Sequence, residues 1–110
     1  MNCVFCQIIS DQAPAEVLQV WPDAIAIAPL NPVADGHRLV LARTHVETAA
    51  TNPVVTAMTA RRAAQIVRPG EHLAVNVGTA AGQSVPHLHM HLWPCCGAGS
   101  CMPWGCPSPA

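Results

Sequence analysis

The segment "HLHMHLW", His87–Trp93, places a histidine at every second position, with apolar residues between. Because side chains along a strand alternate between its two faces, His87, His89 and His91 are predicted to share one face. The intervening apolar residues then form the opposite face, which must be buried. The pattern therefore predicts a row of imidazoles that lies beside a cavity or solvent and is backed by the core.

A single zinc ion does not explain this histidine row. Strand residues two apart are separated by roughly 6.6 Å, and the outer pair by about 13 Å. Zinc–nitrogen bonds are only about 2.0–2.1 Å long, so two neighbours could share an ion but all three could not without breaking the strand. At least one histidine must have another task, unless the row is an exposed polar face that happens to be histidine.

Composition limits the class of protein. The 110 residues favour one domain, and 51% hydrophobic with only 10% charged residues excludes a disordered chain. A formal net charge of −1 gives no field for nucleic acid or membrane, and neither is predicted as a partner. The start, "MNCVFCQIIS", is not a signal peptide and no run is long enough to span a bilayer, so a cytoplasmic location is expected.

Short apolar runs joined by turns predict an antiparallel sheet in an α+β fold. The predicted strands are Val17–Trp21, Ala24–Ala28, His37–Ala42, His72–Val77 and His87–Trp93. Asn52-Pro53 is predicted to start the main helix, which stops at Pro69-Gly70, and a shorter helix is expected near residues 6–10. Composition changes near Pro94, which predicts a domain over residues 1–94 and an irregular Cys/Gly/Pro-rich tail over 95–110.

The Gly-rich segment "NVGTAAGQSV", Asn76–Val85, leads directly into the histidines. It lacks the lysine of a P-loop and precedes no predicted helix, so it is neither a Walker motif nor a dinucleotide fingerprint. Alone it is explained by a structural turn. Beside three histidines it indicates an anion site, in which glycine N–H groups approach phosphate oxygens while Gln83 and Ser84 add hydrogen bonds.

The stretch "NVGTAAGQSVPHLHMHLWP" resembles the signature of the histidine-triad (HIT) family, His-φ-His-φ-His-φ-φ with φ apolar. The segments "CVFCQII" and "LNPVADGHRLVLARTHVE" match that family in the same order, so the resemblance covers residues 3–94. His91 stands where the nucleotidyl-transferase branch has glutamine, which favours the hydrolase branch. The resemblance implies a HIT-like fold with about five antiparallel strands, one main helix, a short N-terminal helix and a homodimer.

The resemblance also implies a reaction. His89 matches the nucleophile that attacks the α-phosphorus of a purine nucleotide conjugate, such as a nucleoside phosphoramidate, and forms a nucleotidyl-histidine. His91 would steady the phosphate charge, His37 would orient the triad from behind, and Ser84 would hydrogen-bond the leaving group or phosphate. The implied nucleotide-binding residues are Asn76, Gly82, Gln83, Ser84, His89 and His91. Dinucleoside polyphosphate cleavage and nucleotide binding without catalysis remain alternatives.

Cys3 and Cys6 form a C-x-x-C motif with only two residues before it, which fits a zinc half-site better than a redox motif. Zinc requires two further ligands. The resemblance to the bacterial-type branch supplies His45 and His87, which implies one closed, structural zinc site per chain. The alternative is a pair of ordinary thiols.

The chain also departs from the family pattern. Pro29 stands eight positions before His37, where the family commonly has an acid that binds the ribose hydroxyls. The stretch from His45 to Asn76 is shorter than the family's, and its helix usually contributes to the dimer interface. The final proline is followed by Cys95-Cys96 instead of the usual arginine, and the cysteines of the tail leave a zinc-handling protein as a third class of function.

Overall fold

The computed structural model describes residues 3–32 and 34–94, so the predicted tail and its cysteines lie outside the described residues. The elements in chain order are α1 (Val4–Ile9), β1 (Glu16–Val20), β2 (Ala24–Ala28), β3 (Arg38–Ala42), α2 (Pro53–Ile66), β4 (Glu71–Ala74) and β5 (His89–Pro94), with a 3₁₀ turn at Thr79–Ala81 before β5. The predicted α+β class, five strands, main helix and short N-terminal helix are confirmed.

The five strands form one sheet in the order β1-β2-β3-β5-β4, and every neighbouring pair is antiparallel. The last strand of the chain is therefore inserted between β3 and β4 instead of extending an edge. Its histidines lie opposite apolar residues of β3, with Leu41 facing His89 and Leu39 facing His91. This register places the histidine pair near the middle of the sheet.

Helix α2 begins as the sequence predicts. The Asn52 side chain accepts hydrogen bonds from the N–H groups of Val54 and Val55, and Pro53 occupies the first turn. Thr59 and Ala63 are fully buried against the sheet. No helix in the described part of the chain is both long and apolar enough to cross a membrane.

Apolar residues cover both faces of the sheet. One cluster lies under α2 and includes Leu88, Met90 and Leu92, as the alternation predicts. The other is formed with α1, and Phe5 packs there with Leu39 and Leu41. Because α1 covers the histidine face, β5 is buried on both faces, and the predicted choice between cavity and solvent is decided for a cavity.

Arg38 closes the end of β3 next to His37. Its guanidinium pairs with Glu71 and donates hydrogen bonds to the carbonyls of Gly36 and Ile66. Ile66 is the last residue of α2, where unpaired carbonyl groups favour a cation. The interaction joins α2 and β4 to the strand that carries His37.

Candidate active site and metal site

His87 lies just before β5, and its ring is fully buried. Its Nε2 lies 2.6 Å from the carbonyl oxygen of Ala42. A carbonyl only accepts hydrogen bonds, so Nε2 carries the proton and Nδ1 carries the lone pair. That Nδ1 lies 3.3 Å from Cys3 Sγ and 3.5 Å from Cys6 Sγ. The predicted strand thus begins two residues late, and His87 faces the cysteines.

His45 completes a cluster of four ligand atoms that all lie within 4.8 Å of one another. Its Nδ1 lies 3.2 Å from Cys6 Sγ and 3.1 Å from His87 Nδ1. A tetrahedron with metal–ligand bonds of about 2.0–2.3 Å has edges of roughly 3.3–3.8 Å. The cluster has this size, and its two sulfurs and two imidazoles are a metal-binding donor set. These four residues can therefore hold a metal ion.

The C-x-x-C motif forms the first turn of α1. Cys3 is the N-cap residue, and its sulfur accepts a hydrogen bond from the N–H of Cys6 at 3.4 Å. Both cysteines are free thiols. Between them Phe5 points into the core, so the apolar position of the motif anchors the turn that presents the two sulfurs.

His89 is held by the same short segment. Its Nδ1 lies 2.7 Å from the backbone carbonyl of His87, so Nδ1–H donates and Nε2 is left with the lone pair. Burial lowers the pKa of His89 from its ordinary value, although the hydrogen bond to His87 opposes the shift. The neutral ring at neutral pH is the nucleophilic form of histidine.

His37 and His91 form a second buried pair beside His89. Their rings stack at a centroid distance of 5.6 Å, and His37 Nε2 lies 3.4 Å from His91 Nδ1. Burial lowers the pKa of His91 to about 3, and the neighbouring rings of His89 and His37 add to the effect. Burial also lowers the pKa of His37. His37 therefore supports His91, in the place that the resemblance implies.

The rings of His37, His89 and His91 line a cavity of about 330 Å³. Ser84 is exposed at its wall, and Phe5 packs edge-on against His89 at a centroid distance of 4.9 Å. The structure thus brings together the four residues predicted to be catalytic. Phe5 was not singled out by the sequence, where its only signal is an apolar position inside the C-x-x-C motif.

The Gly-rich loop is held together by its own amide side chains. Gln83 accepts a hydrogen bond from Gly78 N–H and donates to the carbonyls of Glu47 and Val85. Asn76 donates to the carbonyl of Ala81 at 2.6 Å, and Gly82 has a left-handed conformation with φ 93°. Asn76, Gly82 and Gln83 do not line the histidine cavity, so their predicted nucleotide contacts stay predictions.

Comparison with known proteins decides the family. The family model described as the HIT domain matches residues 10–95. This chain belongs to the HIT family. An uncharacterized HIT-like protein of Mycobacterium tuberculosis is 37% identical, over 86% of this chain and 72% of that protein. The plant protein Adenylylsulfatase HINT3 of Arabidopsis thaliana is 34% identical, over 84% of this chain and 52% of that protein.

The solved structures agree with this assignment. A Zn-bound histidine triad family protein from Mycobacterium smegmatis superposes with a TM-score of 0.84 at 32% identity, covering 93% of this chain and 81% of that one. The predicted HIT-like fold is therefore confirmed. The matched HIT domain begins at residue 10, so Cys3 and Cys6 precede it and half of the metal cluster lies outside the matched residues.

Proposed function

We propose that this HIT protein is a nucleotide hydrolase or transferase that acts on nucleoside phosphoramidates or related nucleotide conjugates. One observation carries the proposal. The His87 carbonyl fixes the proton of His89 on Nδ1, so a neutral ring at the cavity wall carries its lone pair on Nε2. Burial lowers the pKa of His89 and keeps that ring neutral at neutral pH.

The reaction proceeds in two displacements. His89 Nε2 bonds to the α-phosphorus while the P–N bond to the leaving amine breaks, and the amine departs with a proton. Water then attacks the phosphorus of the nucleotidyl-histidine, which releases the nucleoside monophosphate and restores His89. A neutral His91 donates one N–H to a phosphate oxygen, and His37 holds the His91 ring in place. Ser84 donates its hydroxyl proton to the leaving group or the phosphate.

Two of the similar proteins support this class of chemistry. A HIT family hydrolase from Clostridium thermocellum superposes with a TM-score of 0.74 at 31% identity. The name of the plant adenylylsulfatase describes removal of sulfate from an adenylyl group, which is also displacement at an α-phosphorus. Adenosine 5′-phosphoramidate is therefore the first substrate to test, followed by adenylyl sulfate and a dinucleoside polyphosphate.

The test is to trap the intermediate. The protein is mixed with adenosine 5′-phosphoramidate, quenched within milliseconds and analysed by mass spectrometry of its peptides. An adenylyl group on the His89 peptide is expected in the wild type and is absent in His89→Ala. His72→Ala is the matched control, because His72 is an exposed histidine of β4 outside the cavity. Equal turnover by wild type and His89→Ala would show that His89 is not the nucleophile.

We further propose that the metal is zinc, held by Cys3, Cys6, His45 and His87. When bound, zinc would supply a structural cross-link between α1, the segment after β3 and the segment before β5. Metal analysis of the purified protein should give about one zinc per chain, which His45→Ala loses and the His72→Ala control keeps. Protein that carries no zinc after expression in zinc-supplemented medium would contradict this assignment.

The predicted homodimer is also a proposal, and the surface of α2 supports it. Val54 and Met58 are 68% and 41% exposed, and side chains four residues apart share one helix face. Sedimentation equilibrium should give twice the chain mass, and Met58→Glu should weaken the association. A monomer at high micromolar concentration would contradict the proposal. The cytoplasmic location expected from the N-terminal sequence stays a prediction.

A further inference from the structure

None of the charged side chains of this protein lines the histidine cavity. The chain has six acidic residues, which are Asp11, Glu16, Asp23, Asp35, Glu47 and Glu71. All six and all five arginines lie within the described ranges, because the remaining positions hold no Asp, Glu, Lys or Arg. None of these eleven residues contributes to the cavity wall. The cavity therefore has no carboxylate from its own chain.

Several of these acids are engaged elsewhere. Asp23 accepts a hydrogen bond from Arg62 at 2.7 Å, and Glu71 pairs with Arg38. Glu47 lines two other cavities that also adjoin Ser84. An alternative acid is therefore not waiting at the wall for a small side-chain rotation.

The wall away from the histidines is largely apolar. Ile8, Ile27 and Leu39 line it, together with the segment Pro29-Leu30-Asn31 that follows β2. Pro29 has neither a polar side chain nor an N–H, and Leu30 is 93% exposed at its end of the wall. Asn31 is the one amide side chain of the lining. The two hydroxyls of a ribose are best held by a carboxylate, which accepts hydrogen bonds from both.

We infer that this cavity binds its nucleotide through the phosphate and the apolar surface of the nucleoside, without selecting for the ribose hydroxyls. Conjugates of 2′-deoxynucleotides are then substrates as good as those of ribonucleotides. This inference rests on the proposed function for its substrate class. Pro29 is the residue that sets the specificity, since it occupies the wall where an acid would contact the sugar.

The experiment compares kcat/KM for the 5′-phosphoramidates of adenosine and 2′-deoxyadenosine. A neutral hydrogen bond from Asn31 is worth about two- to tenfold, so the wild-type preference for the ribonucleotide should stay below about tenfold. A hydrogen bond to a carboxylate is worth roughly ten- to a hundredfold. Pro29→Asp should therefore raise the preference at least a further tenfold, while Pro29→Ala, the matched control, leaves it unchanged.

A wild-type preference well above tenfold would overturn the inference, and would mean that a group from another chain or segment binds the diol. A Pro29→Asp variant that folds, by circular dichroism, but shows no new preference would overturn the role of Pro29. If neither conjugate is hydrolysed, the catalytic proposal fails alone, and calorimetric dissociation constants for adenosine and 2′-deoxyadenosine 5′-monophosphate decide the inference by the same ratio. Absence of binding by either monophosphate contradicts both.

Discussion

The buried, neutral state of His91 should make stability fall in mild acid, and His91→Gln should remove that sensitivity. The pKa of His91 is lowered to about 3 in the folded protein, whereas an unfolded histidine titrates near 6.5. Protonation therefore favours the unfolded chain once the pH drops below 6.5. The stabilisation is complete above pH 6.5 and is lost progressively as the pH falls towards 3.

The size of the effect follows from the two pKa values. Between pH 7 and pH 5 the unfolded histidine becomes almost fully protonated while His91 stays neutral, which destabilises the fold by about 2 kcal/mol. Glutamine does not titrate and keeps a hydrogen-bonding amide. His91→Gln should therefore lose about 2 kcal/mol less than the wild type over this interval, whatever its stability at pH 7.

The assay is urea unfolding at pH 7, 6 and 5, followed by the fluorescence of the buried Trp21 and Trp93. Saturating zinc and a fixed protein concentration keep metal binding and association constant. His72→Gln is the control for replacing a histidine, because His72 is exposed on β4, and it should follow the wild type. Parallel pH profiles for wild type and His91→Gln would refute the reasoning.

Three further outcomes are expected. Burial lowers the pKa of His89, so the acid limb of kcat/KM should lie below pH 6.5, and a limb near pH 7 would mean that another group controls the rate. Removing the metal with a chelator should lower the melting temperature of the wild type, but not that of a Cys3→Ser/His45→Ala variant whose cluster is already broken. Asn52→Ala should reduce the free energy of unfolding by about 1 kcal/mol because two N–H groups of α2 lose their acceptor, and an unchanged urea midpoint would show that the cap is dispensable.

The sequence predicts most of the fold because its signals are local. The period-two pattern, the Asn52-Pro53 cap and the turns between apolar runs each depend on neighbouring residues. The strand order does not follow from them, since the insertion of β5 between β3 and β4 is a long-range choice. Nor does the cover over the histidine face, because it comes from α1 at the other end of the chain.

The site was predictable as a set of residues, but less so as a division of tasks. Spacing alone requires that one of the three histidines differs from the others, and the structure shows that His87 leaves the strand and turns to the cysteines. Gln83 is the opposite case. A glutamine in a Gly-rich loop next to histidines is typical of a ligand contact, yet its amide is fully used by three hydrogen bonds within the protein. Such satisfaction depends on Glu47, which is distant in sequence.

The two sites of this protein share one residue. The His87 ring donates to Ala42 and presents its Nδ1 to the cysteines, while the His87 carbonyl accepts the proton of His89. A metal ion held by the ring therefore also restrains the carbonyl that sets the tautomer of the proposed nucleophile. This connection explains why an alternating pattern contains a member with a different task. The first histidine fixes the backbone from which the second one acts, and the cost of burying its ring is offset by ligands on both nitrogens.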